Sequence, residues 1–505
     1  MKPFLLKLPF LVILMGIGAV AMLVPMAHAV RIGDFFTARI FLQSGLLFLV
    51  LCGLIAVASV NFTPRNSARS HLIALLGAYV LLPVMLAYPL TFLVTDTGFF
   101  TLYFEMLSSL TTTGATLFDD PARLSEPVHL WRAFVGWLGG LLVLVSAIAI
   151  MAPLNLGGFE VYEGGPSTGK AHDLARIRAA DMSQRLVRYT LKLAPVYLSI
   201  TLVLAFGLLV SGERAFVALV HAMSTLSTSG ISVTDGLGGD GAGLAGEVLV
   251  FFFLLFAVSR ATFSFENGIP GFRSLAVDHE FRLMLGVVTI LPLLLFLRHW
   301  IGAIEIDAQE DIASALSALW GGAFMVLSFL TTTGFESTHW HDAQNWSGLR
   351  TPGLLLIGMA VMGGGVATTA GGVKLLRVYA LYKHGTREIQ RLAFPSSVGG
   401  AGRAARFIRR EGAYLAWLFF MLFAISTAVT LLALTLTGLD MEVALAFAVS
   451  ALSTTGPLAG AALEGATDYG DLGTPARLIL SAAMVLGRLE TLAIVALLNP
   501  DFWRS

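Results

Sequence analysis

Apolar runs of bilayer length recur along the whole chain, broken only by short polar stretches, and this pattern predicts transmembrane helices. The runs cover residues 9–29, 38–62, 71–94, 131–151, 189–211, 247–265, 281–300, 354–380, 413–436 and 477–499, about ten transmembrane spans. The first run ends in Ala27-His28-Ala29 after Lys2 and Lys7, which also fits a secretory signal. Its near-spanning length, and a second span returning the chain to a basic loop with Arg65 and Arg69, favour a retained hairpin.

Shorter apolar segments precede the fourth, sixth, eighth and tenth spans. Each is too short to cross a bilayer, and each ends in hydroxyl residues followed by glycine. They read Leu110-Thr111-Thr112-Thr113-Gly114-Ala115-Thr116, Leu226-Ser227-Thr228-Ser229-Gly230-Ile231-Ser232, Leu330-Thr331-Thr332-Thr333-Gly334-Phe335-Glu336 and Leu452-Ser453-Thr454-Thr455-Gly456-Pro457-Leu458. The glycines are 116, 104 and 122 residues apart. The unit is therefore span, half-helix, hydroxyl-glycine turn, span. The expected divisions are a hairpin at 1–66 and four repeats at 67–160, 161–275, 276–400 and 401–505, the second preceded by a cytoplasmic loop.

Composition excludes an ordinary soluble enzyme. Of 505 residues 56% are hydrophobic and 13% charged, against about 25% charged in soluble domains, and the mean hydropathy is +0.80. The 32 basic and 32 acidic side chains balance, which argues against nucleic acid as a partner; the single Cys52 permits neither an internal disulfide nor a cysteine metal cluster. Basic residues cluster in alternate loops: Lys170, Arg176, Arg178, Arg185, Arg188 and Lys192; Arg273 and Arg282; Lys383, Arg387, Arg391, Arg403, Arg406, Arg409 and Arg410. The opposite loops near 119–127, 234–246 and 460–476 hold only Arg123. The positive-inside rule then places both termini in the cytoplasm.

Irregular backbone at membrane depth is tolerated only where protein buries it or it lines an aqueous cavity, so the four turns must face inward. Glycine lets successive carbonyls aim at one axis, and converging turns make rings of oxygens that can replace the hydration shell of a potassium-sized cation. The C-terminal ends of the half-helices add partial negative charge at the same place. A single such segment would also suit close helix packing through small residues. Four copies between complete spans favour a filter, comprising Thr112, Thr113, Gly114 and Ala115; Thr228, Ser229, Gly230 and Ile231; Thr332, Thr333, Gly334 and Phe335; Thr454, Thr455, Gly456 and Pro457.

Within the eighth apolar run, Gly363, Gly364, Gly365, Thr368, Thr369, Gly371, Gly372 and Lys374 stand at membrane depth. Each glycine costs about 1 kcal/mol against alanine inside a helix, which predicts two half-helices joined by a loop; a static glycine-lined packing seam is the alternative. Lys374 is expected to snorkel to the cytoplasmic surface. Arg488 lies eleven residues from both Arg477 and Asn499, a mid-membrane position that should face the pore or pair with an acid such as Glu490. Glu105 and Glu266 fit helix caps or interface pairs, whereas Glu336, two residues past a filter glycine on the outer side, suits the mouth of an ion path.

With these motifs stand Phe104-Glu105, Trp131-Arg132, Trp137-Leu138-Gly139-Gly140, Asp278-His279-Glu280-Phe281-Arg282, Gly487-Arg488-Leu489-Glu490 and Phe502-Trp503. Over nearly its full length the chain resembles the Trk/Ktr/HKT potassium transporter superfamily, specifically its Trk-type membrane subunit. The resemblance implies an all-α integral membrane fold of four M1-P-M2 repeats around a pseudo-fourfold pore, plus the N-terminal hairpin. It further implies a homodimer in the lipid of a bacterial inner membrane, a separate cytosolic nucleotide-binding ring that gates it, potassium as substrate and no cofactor. In the family the broken eighth span obstructs conduction until it moves, and an arginine on the last helix approaches the permeation path. This chain departs from the family pattern at Glu336 and in the fourth filter, Gly456-Pro457-Leu458-Ala459-Gly460.

Other chemistry has little foothold. Gly164-Gly165-Pro166-Ser167-Thr168-Gly169-Lys170 has the spacing of a phosphate-binding loop, but no strand precedes it and Ala171 replaces the magnesium-binding hydroxyl. His339 and His341 flank Trp340 without metalloprotease spacing. Two other readings stay open: a secondary carrier coupled to sodium or protons, since broken helices also build carrier sites, and a non-conducting sensor on this fold.

Overall fold

The computed structural model describes residues 8–59, 67–118, 120–152, 182–234, 236–237, 241–258, 278–302, 312–349, 351–394 and 410–489. Among these the regular structure is helical and no strand occurs. The chain opens with α1 (Phe10–Ala21) and α2 (Leu23–Ile32), which turn at Gly33 into α3 (Phe35–Ser59). Gly45 of α3 sits against the Ala19 carbonyl, and Gly18 meets Met85 and Leu86 of α4 (Ser67–Ala87). The first helices are thus packed into the body as a hairpin.

From α4 onward one order of elements recurs. A long helix is followed by a shorter apolar one, an irregular turn and another helix: α4, α5 (Phe99–Leu110) and α6 (Glu126–Ser146), then α7 (Met182–Val210), α8 (Ala215–Ser227) and α9 (Gly243–Leu254). Next come α10 (His279–Gly302), α11 (Ile312–Leu330) and α12 (Pro352–Met362), with α13 (Leu375–Ala393) after a break. The last are α14 (Arg410–Thr435), α15 (Met441–Leu452) and α16 (Thr474–Leu489). Helices α5, α8 and α15 have 12, 13 and 12 residues and at 1.5 Å per residue reach roughly 18–20 Å, short of the ~30 Å hydrocarbon core; α11, with 19 residues, reaches roughly 28 Å and is longer than the expected half-span.

Burial separates the two kinds of helix. The long helices expose large apolar side chains, among them Val57, Phe206 and Leu432, a surface that only lipid makes favourable. The short helices are buried, with Phe104, Phe324, Phe329 and Phe447 fully enclosed. Indole donors tie the layers together: Trp131 Nε1 donates to the Leu86 carbonyl (3.0 Å) and Trp137 Nε1 to Thr201 Oγ1 (3.0 Å).

Seven helical stretches among the described residues are long and apolar enough to span a membrane. The other three expected spans differ for local reasons. The described part of the sixth ends at residue 258, the eighth breaks at Gly363 as its glycines require, and α16 is described only to Leu489. The phosphate-loop look-alike, Lys170, Arg176, Arg178, Glu266, Arg273, Arg403, Arg406, Arg409, Glu490 and Phe502-Trp503 lie outside the described residues.

Candidate functional site

All four half-helices end in the same backbone form. The threonine two residues before each glycine, Thr112, Thr228, Thr332 and Thr454, has φ of 53, 52, 57 and 55°. A β-branched residue in the left-handed region is strained by roughly 1–3 kcal/mol and persists only where its surroundings impose it. Four occurrences in one register show one shared geometry. The next amide turns back to the helix each time: Thr113 to Ser108 (2.9 Å), Ser229 to Ser224 (3.0 Å), Thr333 to Ser328 (2.9 Å) and Thr455 to Ser450 (2.9 Å). A serine therefore stands six residues before every glycine, a repeat visible in the sequence that the reading of hydroxyl-glycine turns missed.

The turns touch in a closed cycle. A Cβ on Gly114 would strike the Ser229 carbonyl, and one on Gly230 would strike the Thr333 carbonyl. Gly334 lies against the Pro457 ring, and the Gly456 amide donates to the Thr113 carbonyl at 2.6 Å. First meets second, second meets third, third meets fourth and fourth meets first. Ala115, Ile231 and Phe335, the residues after the first three glycines, are buried beside this cycle. The hydroxyls of Thr112 and Thr454 are buried there without a protein partner, and a buried hydroxyl without a hydrogen bond is costly.

Outside the cycle each turn has its own anchor. Glu105 pairs with Arg132 and accepts the Leu117 amide at 3.0 Å, so it serves at an interface. His221 bridges Glu213 (3.0 Å) and Ser232 (2.8 Å). Glu247, fully buried, accepts from the Thr338 amide (2.7 Å), Thr338 Oγ1 (2.6 Å), Ser337 Oγ (2.8 Å) and Trp320 Nε1 (2.9 Å). Tyr469 donates to the Gly456 carbonyl at 3.0 Å. Of these anchors the sequence reading singled out only Glu105. Glu247→Gln puts an amide donor where four donors converge. It is expected to cost about 1–3 kcal/mol and to lower the melting temperature in detergent; an unchanged melting curve would refute the clamp.

Beneath the cycle lies the broken span. The entire loop from Gly363 to Lys374 is buried, and it meets three half-helix ends directly and the fourth through Arg488. Thr369 Oγ1 donates to the Leu226 carbonyl (3.2 Å), the Gly371 amide donates to Thr332 Oγ1 (2.7 Å), and Gly371 packs on the Ser453 carbonyl. The fourth contact runs through Arg488, whose Nε donates to the Thr111 carbonyl and Nη1 to the Thr369 carbonyl, both at 2.7 Å. Glu280, from the Asp278-His279-Glu280 motif, accepts the Val366 amide at 2.8 Å. Gly364, Gly365, Thr368 and Gly372 complete the loop, with Thr368 Oγ1 bonded to the Gly365 carbonyl at 2.7 Å.

One expectation changes here. Lys374 does not snorkel: it is buried, and Nζ turns back to the Ala370 carbonyl, because its φ of 85° folds the chain inward before α13 begins. Arg488 is buried and held by two backbone carbonyls, those of Thr111 and Thr369; the expected partner Glu490 lies outside the described residues. Glu336, two residues past the third glycine, is exposed, and desolvation by the surrounding protein raises its carboxyl above the usual range.

Long lipid-facing helices, with four buried hairpins meeting above a broken span among the described residues, define a multi-pass membrane protein. It matches the TrkH family, described as cation transport proteins, over residues 45–236 and 249–503, and belongs to that family. It is 30% identical to the Trk system potassium uptake protein TrkH of Vibrio parahaemolyticus serotype O3:K6 (strain RIMD 2210633), over 85% of this chain and 84% of that protein. The TrkH of Halomonas elongata is 30% identical over 91% of this chain and 92% of its own. The crystal structure of the potassium transporter TrkH from Vibrio parahaemolyticus superimposes with a TM-score of 0.82 at 25% identity, covering 99% of this chain and 100% of that one.

Proposed function

We propose that this chain takes up potassium across a bacterial inner membrane through a channel-like pore whose filter is the cycle of four threonine/serine-glycine turns. The observation that carries this reading is the fourfold left-handed threonine, closed into a cycle with two unpartnered buried hydroxyls. Strain repeated four times at one point is compensated where backbone and hydroxyl oxygens together replace the water around a cation. The relatives' names, Trk system potassium uptake proteins, supply the ion. The repeats at 67–160, 161–275, 276–400 and 401–505 are then quasi-equivalent quarters of the pore, with the 1–66 hairpin outside them.

The loop from Gly363 to Lys374 is the gate. It lies under all four turns and must move before an ion can pass to the cytoplasm. Arg488, which braces the loop to the first turn, also repels cations below the filter, while Glu336 draws them to the outer mouth. The pore works as a homodimer, both termini cytoplasmic, under a cytosolic nucleotide-binding ring that moves the gate. Deleting residues 363–372, or cross-linking the loop, is expected to change flux by at least about tenfold, upward for the deletion and downward for the cross-link. Unchanged flux in both would leave the loop as a packing seam.

The function itself is tested by reconstituting the full chain in liposomes and measuring flux of potassium, rubidium and sodium in turn. Potassium and rubidium should pass faster than sodium without a coupled ion. Flux strictly coupled to sodium or protons would make the protein a carrier, and cation binding without flux a sensor.

A further inference from the structure

The fourth turn differs from the other three in a way that bears on which ion passes. After the left-handed threonine, Gly114, Gly230 and Gly334 are also left-handed, with φ of 73, 63 and 84°. Gly456 is not. Pro457 follows it at φ −60° and ψ −16° and opens the short helix Leu458–Leu463, whereas the first three turns leave the site as irregular chain.

That helix consumes the fourth turn's oxygens. The Thr455 carbonyl accepts from Ser450 Oγ (2.7 Å) and the Leu458 amide (3.1 Å). The Gly456 carbonyl accepts from Tyr469 Oη (3.0 Å) and the Ala459 amide (3.3 Å); Ser450 Oγ is 3.1 Å away, but its single proton goes to the shorter Thr455 contact. A carbonyl has two lone pairs, so neither oxygen has capacity left for a cation. The Gly456 amide takes one lone pair of the Thr113 carbonyl, which keeps the other. Carbon fills the remaining side: Pro457 Cγ would lie 2.8 Å from a Cβ on Gly230 and 3.0 Å from one on Gly334.

Resting on the proposed function, we infer that Pro457 and the Tyr469–Ser450 pair make the fourth turn a wall rather than a ligand at the outer level of the filter, and thereby set its alkali-metal selectivity. At that level a cation is coordinated from three sides and faces the pyrrolidine ring on the fourth. Fewer dehydrated oxygens give a weaker field, so the filter distinguishes potassium from sodium less sharply than four equal turns would. Tyr469 acts through the Gly456 carbonyl and is a positioning residue.

The test compares wild type, Tyr469→Phe and Pro457→Gly, each as the full chain in liposomes, by the ratio of potassium to sodium flux. Tyr469→Phe removes one donor and keeps the ring between Phe104 and Phe447; Pro457→Gly removes the wall. Each is expected to raise the ratio by about fivefold, the equivalent of one net hydrogen bond. A ratio unchanged or lowered in Tyr469→Phe overturns the inference, even where Pro457→Gly does not insert. Should wild type carry no cation, the proposed function fails; should it conduct while the variants leave the ratio where it was, only the wall is wrong.

Discussion

Gly114→Ala is expected to cut cation flux by at least tenfold, equivalent to about 1.4 kcal/mol, in protein that still inserts into membranes. Gly114 has φ of 73°, which alanine adopts only with strain, and its Cβ would strike the Ser229 carbonyl. That carbonyl belongs to the neighbouring turn's backbone, so no rotamer change relieves the collision. The second turn must retreat, and the cycle opens at the first-to-second contact. Gly385→Ala is the matched control: it lies in α13 with nothing within 4 Å of a new Cβ, and should leave flux untouched. Rubidium uptake into proteoliposomes, normalised to inserted protein, measures both. Normal uptake by Gly114→Ala would mean that the cycle is not the ion's route.

What the sequence made legible here follows from which forces act locally. Apolar length and the repeated hydroxyl-glycine turns announce the long helices and the four short ones, because lipid penalises any other arrangement of the backbone. The break at Gly363 is equally local, since glycine accumulates helix cost residue by residue. The anchors were hidden for the opposite reason. Glu247 reaches Ser337 and Thr338 across 90 and 91 residues, and His221 reaches Ser232 within one hairpin. The four turns use four unrelated anchors, a Glu–Arg pair, a Glu–His–Ser chain, a glutamate clamp and a tyrosine, so a search for repeats cannot expose them. Only the serine six residues before each glycine is shared, and it was there to be read. Lys374 misled because snorkelling is a property of helix ends, whereas its backbone belongs to the loop and turns the amine inward.

Arg488→Ala should raise flux, and the comparison with Arg488→Lys separates two ways in which the arginine could hold the pore closed. The guanidinium joins the end of α5 to the Gly363–Lys374 loop, the proposed gate, through two bonds of 2.7 Å, each a charge-assisted bond of about 1.5–3 kcal/mol. Among the described residues no carboxylate is bonded to it, so carbonyl oxygens alone hold the charge in place. If together those bonds favour the closed loop by about 3 kcal/mol, their loss shifts the open-to-closed ratio by roughly 150-fold. Lysine keeps the positive charge but lacks the rigid fork that spans both carbonyls. Flux that rises in Arg488→Ala and in Arg488→Lys identifies a mechanical brace; flux that rises only in Arg488→Ala identifies electrostatic repulsion of the permeating cation. Wild-type flux in both variants, at wild-type abundance, would remove Arg488 from the gate altogether.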